Sequence, residues 1–199
     1  MATSDVSICS NALLMLGDKP ISSFSEGDTP TNIMRAQLCG NLFQVVRDAV
    51  LRARAPNCAK KRALLAPLAD APAWGYSAQF QKPADWLRTI QVGYDRESWA
   101  YRDEGGVILC STSALPLLYV FRSEAYEAWD AMLVDVMTHA MAARLAWPIT
   151  KSTTQVEAQN KLLREVLIRA GAVDGQDDGP EDLGTFDMLS ARLGIGGIA

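Results

Sequence analysis

Between residues 59 and 122 the hydrophobic rhythm of the chain changes, and that change limits the fold more than any other feature. "DWLRTIQVGY", "SWAYRD", "GGVILCS" and "PLLYVFRS" are short segments rich in β-branched and aromatic residues, separated by turn signals. "RDEGG", Arg102 to Gly106, reads as a hairpin turn joining Trp99–Tyr101 to Val107–Cys110. A small antiparallel sheet is expected from about Trp86 to Phe121.

The flanks follow a helical period. A first helix is expected from the N-cap Ser4 to Gly17, with Cys9, Ala12, Leu13 and Leu16 as its apolar stripe. "GDKPISSFSEGDTP" then reads as a loop. A second helix starts at Thr29-Pro30, where the missing proline N–H does no harm, and Pro56 ends it. From Pro30 to about Arg54 it would be about 37 Å long. Met34, Leu38, Leu42, Val45, Val46 and Ala49 are expected inward, and Arg35, Gln37, Gln44, Arg47 and Asp48 mostly outward. A third helix is expected from about Glu124 to Trp147, stopped by Pro148, with Met132, Leu133, Val136, Ala140 and Ala143 on its core face. A fourth runs from about Thr153 to Ala170, with Ser152 and Gln155 in a capping-box pattern and Gly171 beyond its end.

"AVDGQDDGPEDLG" is acidic and full of glycine, the composition of a flexible linker, and "TFDMLSARLGIGGIA" follows it. The resulting expectation is an α+β, mainly helical fold. Residues 1–58 supply the N-terminal helices of a four-helix bundle-like domain, and 59–122 the aromatic loop and a small antiparallel β region inserted between helices 2 and 3. Residues 123–171 return to the same bundle, and 172–199 form an extended linker and docking tail.

Composition narrows the function. The 199 residues are 49% hydrophobic and 21% charged, enough to bury a core without staples. The net charge of −4 is not that of a chain that grips DNA, because such affinity comes mainly from neutralising phosphates. Cys9, Cys39, Cys58 and Cys110 include no C-x-x-C pair and are expected as free buried thiols of a reducing compartment. His139 is the only histidine, so a site built on several histidines is excluded, and neither a metal nor a cofactor is expected. "MATSDVSICSN" lacks the basic region and long apolar run of a targeting signal. "ALPLLYVF" falls far short of the roughly 20 residues that span a bilayer, so no membrane partner is expected.

No catalytic constellation stands out, and an enzyme is not expected. "GIGG" (Gly194 to Gly197) has no helix after it and cannot work as a phosphate loop. His139 lies one helical turn from Asp135, and the two are the best candidates for a hydrolase, but no motif-placed Ser or Cys accompanies them. Asp174, Asp177, Asp178, Glu181 and Asp182 sit in the linker, where nothing fixes their separation. Lys60, Lys61 and Arg62 form the one basic cluster, a candidate contact for a DNA phosphate or an acidic partner.

"PAWGYSAQFQKPADWLR" (Pro72 to Arg88) places Trp74, Tyr76, Phe80 and Trp86 in a proline-broken run. Loops lie on surfaces, and aromatic residues are enriched in interface cores. These four rings are therefore expected at a subunit interface. Phe186, Met188, Leu189 and Leu193 are expected to order on a neighbour or on another partner.

Three stretches resemble the family of phage head-to-tail adaptors (connectors) that includes the tail tubular A proteins of short-tailed phages. "ICSNALLMLGDKPISSF" (Ile8 to Phe24) matches that family's opening helix and Leu-Gly ending. "RDAVLRARAPNCAKKRALLAPLADAPAWGYSAQFQKPADWLR" (Arg47 to Arg88) carries an Arg-Asp, a Lys-Arg run, a Gly-Tyr with aromatics and a Pro-x-Asp-x-Leu-Arg. "LVDVMTHAMAARLAWPIT" is the third. With the helix that follows the third stretch, the likeness covers about Ser4 to Ala170. A Pro-Trp-x-Phe-Ala run frequent in the family is replaced here by Ala55, Pro56, Asn57, Cys58 and Ala59. The resemblance implies a virion structural protein, made in the host cytoplasm. It would form a closed ring, usually a dodecamer, between a portal protein and a tail or nozzle protein. Double-stranded DNA would pass through the ring without tight binding. The rival reading is a DNA-binding phage assembly or packaging factor, with affinity dependent on Lys60, Lys61 and Arg62.

Overall fold

A computed structural model describes residues 3–27, 29–94 and 99–177. The chain runs α1 (Asp5–Met15), α2 (Pro30–Arg54), β1 (Lys60–Leu65), β2 (Ala78–Gln81), β3 (Trp86–Val92), β4 (Tyr101–Glu104), β5 (Val107–Cys110), β6 (Leu115–Phe121), α3 (Ala131–Thr150) and α4 (Thr153–Asp177). The expected helical bundle with a small β insert is overturned. Four helices stand beside two three-stranded antiparallel sheets, and the strands form the central part of the chain. The sequence reading missed β1 and β2, because one is charged and the other follows a proline-rich loop.

Local chemistry sets the helix ends. Ser4 caps α1 in a reciprocal capping box with Ser7. Thr29 caps α2 ahead of Pro30, and Ala55 closes it in the left-handed conformation (φ 51) before Pro56. The inner face of α2 differs from expectation. Ala36, Cys39, Phe43 and Val46 are buried, whereas Met34 and Val45 are 55% and 66% exposed. The face is rotated because two arginines go inward with partners. Arg35 makes two 2.8 Å hydrogen bonds to Asp18, pinning the loop after α1, and Arg47 is held as described below.

α3 begins at Asp130 rather than near Ser123. The Asp130 carboxylate accepts from the Leu133 amide at 2.8 Å, while Trp129 Nε1 donates to Ser123 Oγ in the preceding turn. Pro148 enters the last turn of α3 instead of stopping it, and Lys151 closes the helix with φ 52. Ser152 Oγ accepts from the Gln155 amide at 3.3 Å at the start of α4. α4 then continues through Gly171 to Asp177, so the first part of the expected linker is helix. Gly171 serves close approach rather than termination: a Cβ there would lie 3.1 Å from Arg54 Nη1.

β6 is the middle strand of an inner sheet ordered β1-β6-β3, and β5 the middle of an outer sheet ordered β2-β5-β4. β4 and β5 are joined by the expected hairpin, with Gly105 at φ 51 in a turn position that penalises a Cβ. The two sheets face each other across Phe80, Val92, Ile108, Cys110, Leu115, Leu117 and Tyr119. On the other side of the inner sheet, Leu87 and Val120 join the core made by α1, α2 and α3. The protein is thus three layers: helices, inner sheet, outer sheet. α3 is the central helix, packed on α1, α2 and α4.

A polar junction ties the layers. Arg47 is buried on α2 and reaches Asp48 (2.9 Å), Glu124 (3.1 Å) and the Tyr126 hydroxyl (3.3 Å). Arg122, just after β6, pairs with the other Asp48 oxygen at 2.9 Å. Burial alone would push the Arg47 guanidinium down, but its bonds to Tyr126 and Asp48 hold it above its ordinary range.

Candidate interaction surface

The four aromatic rings of the 72–88 run do not share one environment. Phe80 is fully buried between the sheets, because β2 turns it inward while Gln81 faces solvent. Trp86 is half-buried on β3. The Lys82 ammonium lies 4.2 Å and the Arg52 guanidinium 5.8 Å from its ring, and its Nε1 donates to Thr89 Oγ1 at 3.1 Å. Lys82 also pairs with Asp103, so this cluster links β3 to β4. Tyr76 is half-buried, and Trp74 stands 86% exposed. Only the Trp74–Tyr76 portion is presented outward.

The loop that carries Trp74 is anchored. The Leu68 amide donates to Gln79 O at 2.8 Å, Gln79 Nε2 donates to Asp70 O at 2.9 Å, and the Ser77 amide donates to Ser111 Oγ at 3.2 Å. Gly75 holds φ 90, which turns the chain tightly beside the indole. A shallow hollow of about 190 Å³ lies behind it, bounded by Tyr76, Arg102, Glu104 and Leu109. A large apolar ring held outward on a braced loop suits contact with another protein.

The basic cluster is divided by strand geometry. β1 is an edge strand, and alternation puts Lys61 on the opposite side from Lys60 and Arg62. Lys60 Nζ donates to Asn57 Oδ1 at 2.6 Å. Lys61 pairs with Asp85 at 3.0 Å, and the Tyr119 hydroxyl donates to the second Asp85 oxygen at 3.0 Å. Burial tends to raise the Asp85 pKa, but these two hydrogen bonds outweigh it and hold the carboxyl below its ordinary range. The three cations therefore do not form one phosphate-binding patch. Charge on an edge strand also discourages unwanted strand pairing.

His139 Nε2 lies 3.6 Å from Asp135, and its Nδ1 is buried with no hydrogen-bond partner. One ring nitrogen meets a carboxylate and the other the interior. Cys9, Cys39 and Cys110 are free and buried, and Cys58 is half-buried. Cys9 and Cys39 share a hydrogen bond, and that bond and burial push the Cys9 thiol well up, away from a reactive thiolate. Asp174 and Asp177 fall on the last turns of α4. Phe186, Met188, Leu189 and Leu193 lie outside the described residues. Among the described residues, no group of three or more His, Cys, Asp or Glu is placed to hold a metal ion, and no helix is long and apolar enough to cross a membrane.

A second surface feature escaped the sequence reading. A groove of about 420 Å³ runs between α2 and α4 over α3. Its signal was present as small residues at helical spacing: Ala49 and Ala53 on α2, Ala140 and Ala143 on α3. Ala49, Ala140 and Ala143 are expected as ordinary core positions, yet with Ala53 they keep the helix surfaces low enough to leave a trough. Compared with protein-family models and with curated proteins, the chain matches none.

Proposed function

We propose that the protein is a virion structural component, a head-to-tail adaptor that forms a closed ring between portal and tail and encloses the DNA exit channel. The single observation that carries this reading is Trp74, 86% exposed on a braced loop within the stretch that resembles the adaptor family. A monomer gains nothing from holding its most exposed tryptophan in water, whereas an interface core gains a large contact area. The first family-like stretch has a definite structural use, since its Asp18 clamps Arg35 of α2. A net charge of −4 suits a conduit, because phosphate-binding walls would retard DNA.

The test is electron microscopy of the full-length protein mixed with its cognate portal protein. Rings stacked on the portal are expected. Failure to associate with the portal would refute the adaptor role. The rival, a DNA-binding assembly or packaging factor, draws on the cations of β1. It predicts a low-salt gel shift that weakens when Lys60 and Arg62 are replaced by Gln, and the adaptor reading predicts no such shift.

A further inference from the structure

The ring reading needs a heterologous interface, in which one surface of a copy meets a different surface of the next. Resting on that reading, we propose that Trp74 of one copy seats in the α2–α3–α4 groove of its neighbour. The two features are complementary in position. The Trp74 loop belongs to the outer-sheet layer, where it borders Arg102 and Glu104 of β4 and Leu109 of β5. The groove belongs to the helical layer, on the other side of the inner sheet. A knob and a socket on different layers make a heterologous contact, which repeats from copy to copy and gives a ring where the rotation closes.

They are complementary in shape. The groove floor is Ala140 and Ala143, and its α2 wall is Ala49 and Ala53, all short side chains. Leu163 and Leu167 of α4 form the facing apolar wall. About 420 Å³ accommodates an indole together with the flanking Ala73 and Gly75.

They are also complementary in charge. Asp70 is the only ionisable acid or base of formal charge between Ala66 and Ser77, and it is exposed. Among the described residues, the charged ones lining the groove are Arg54 and Arg144, both cationic. Arg54 already donates to Leu167 O at 3.2 Å and fixes that end of the groove, so Arg144, exposed on α3, is the partner assigned to Asp70.

The test uses two full-length variants that each spoil one half of the contact. Trp74→Ala removes the knob and Ala143→Trp fills the socket. Sedimentation velocity at the highest soluble concentration, and electron microscopy with the portal, read the assembly. Each variant alone should lose the wild-type assembly. Mixed together they should give a heterodimer and nothing larger, since one intact knob meets one intact socket. Arg144→Glu, a change at an exposed position, should weaken assembly, and adding Asp70→Lys in the same chain should restore it. Wild-type rings that survive all the single variants would overturn this contact and leave the adaptor reading standing. A wild-type protein that forms no ring in solution or on the portal would overturn both.

Discussion

The helical core and the sandwich core are built from different materials. Between the helices the buried residues are mainly aliphatic, small or sulfur-bearing: Ile8, Cys9, Ala12, Leu13, Cys39, Met137, Met141 and Ala142. Between the sheets they are fewer and bulkier, with Phe80 and Tyr119 at the centre. The helical core extends over three helices and one face of the inner sheet, so the loss of one side chain is shared among many neighbours. The sandwich has no such reserve, and its edges are secured by side-chain contacts such as Lys82 with Trp86 and Asp103, and Lys61 with Asp85. The lesson is that the outer sheet is the part most dependent on individual residues, and it is also the part that presents Trp74.

The largest expected effect follows from that difference. Replacing Phe80 with Ala should destabilise the protein by about 3–5 kcal/mol, the usual range for a fully buried ring. Native-state hydrogen exchange should show amides of Ile108 and Leu109 losing protection while those of Leu13 and Met141 keep theirs. Equal loss in both sets would break the comparison, because the two cores would then open as one unit.

Arg47 tests the junction. Replacing it with Met keeps the apolar stem and removes the bonds to Asp48, Glu124 and Tyr126. A destabilisation of roughly 1.5–3 kcal/mol is expected, in the range for hydrogen bonds to charged groups. Urea unfolding measures it, and the loss should reach amides in both cores. A change confined to the helices would mean that the junction does not couple the layers.

Much of the helical layer was legible in the sequence, because caps and breakers act locally. Ser4, Thr29-Pro30 and Ser152 each start a helix where their side chains can meet nearby amides. What failed depended on distant partners. Arg35 and Arg47 look like solvated positions until Asp18 and Glu124 arrive from elsewhere in the chain. Gly171 looks like a helix stop until Arg54 is found against it. In the β region the hairpin at Gly105 was legible from its turn residues, but β1 was not, since Lys60, Lys61 and Arg62 resemble a solvated patch rather than a strand. Taken as one run, the four aromatics are expected on one surface. Alternation along β2 and β3 instead drew Phe80 inside and half-buried Trp86, leaving Trp74 outside.

A smaller, pH-dependent effect should arise at the edge of the sandwich. The folded-state pKa of Asp85 is depressed, so its stabilising contribution is complete above the unfolded carboxylate pKa and fades as pH falls through the folded value. Stability should therefore decline on acidification in the range below the ordinary Asp pKa, through this group among others. Asp85→Asn should flatten part of that acid limb in thermal-melting curves recorded across pH. Parallel curves for the variant and the wild type would show that the Lys61–Asp85–Tyr119 contact contributes nothing through ionisation.

The smallest effect on stability is expected where the effect on assembly is greatest. Trp74 is 86% exposed, so its replacement by Ala removes little that the protomer buries. The change should stay within about 0.5 kcal/mol, as for surface positions generally. Phe80, six residues further along the same aromatic run, would by contrast weaken the fold and disturb assembly only as a consequence. Comparing the two variants separates a ring that holds its own protomer together from one kept for a neighbour. A Trp74→Ala protein that melts like the wild type yet no longer assembles places that ring at the interface. A large drop in its melting temperature would instead mean that the loop supports the sandwich, and the division between inward and outward aromatics would have to be redrawn.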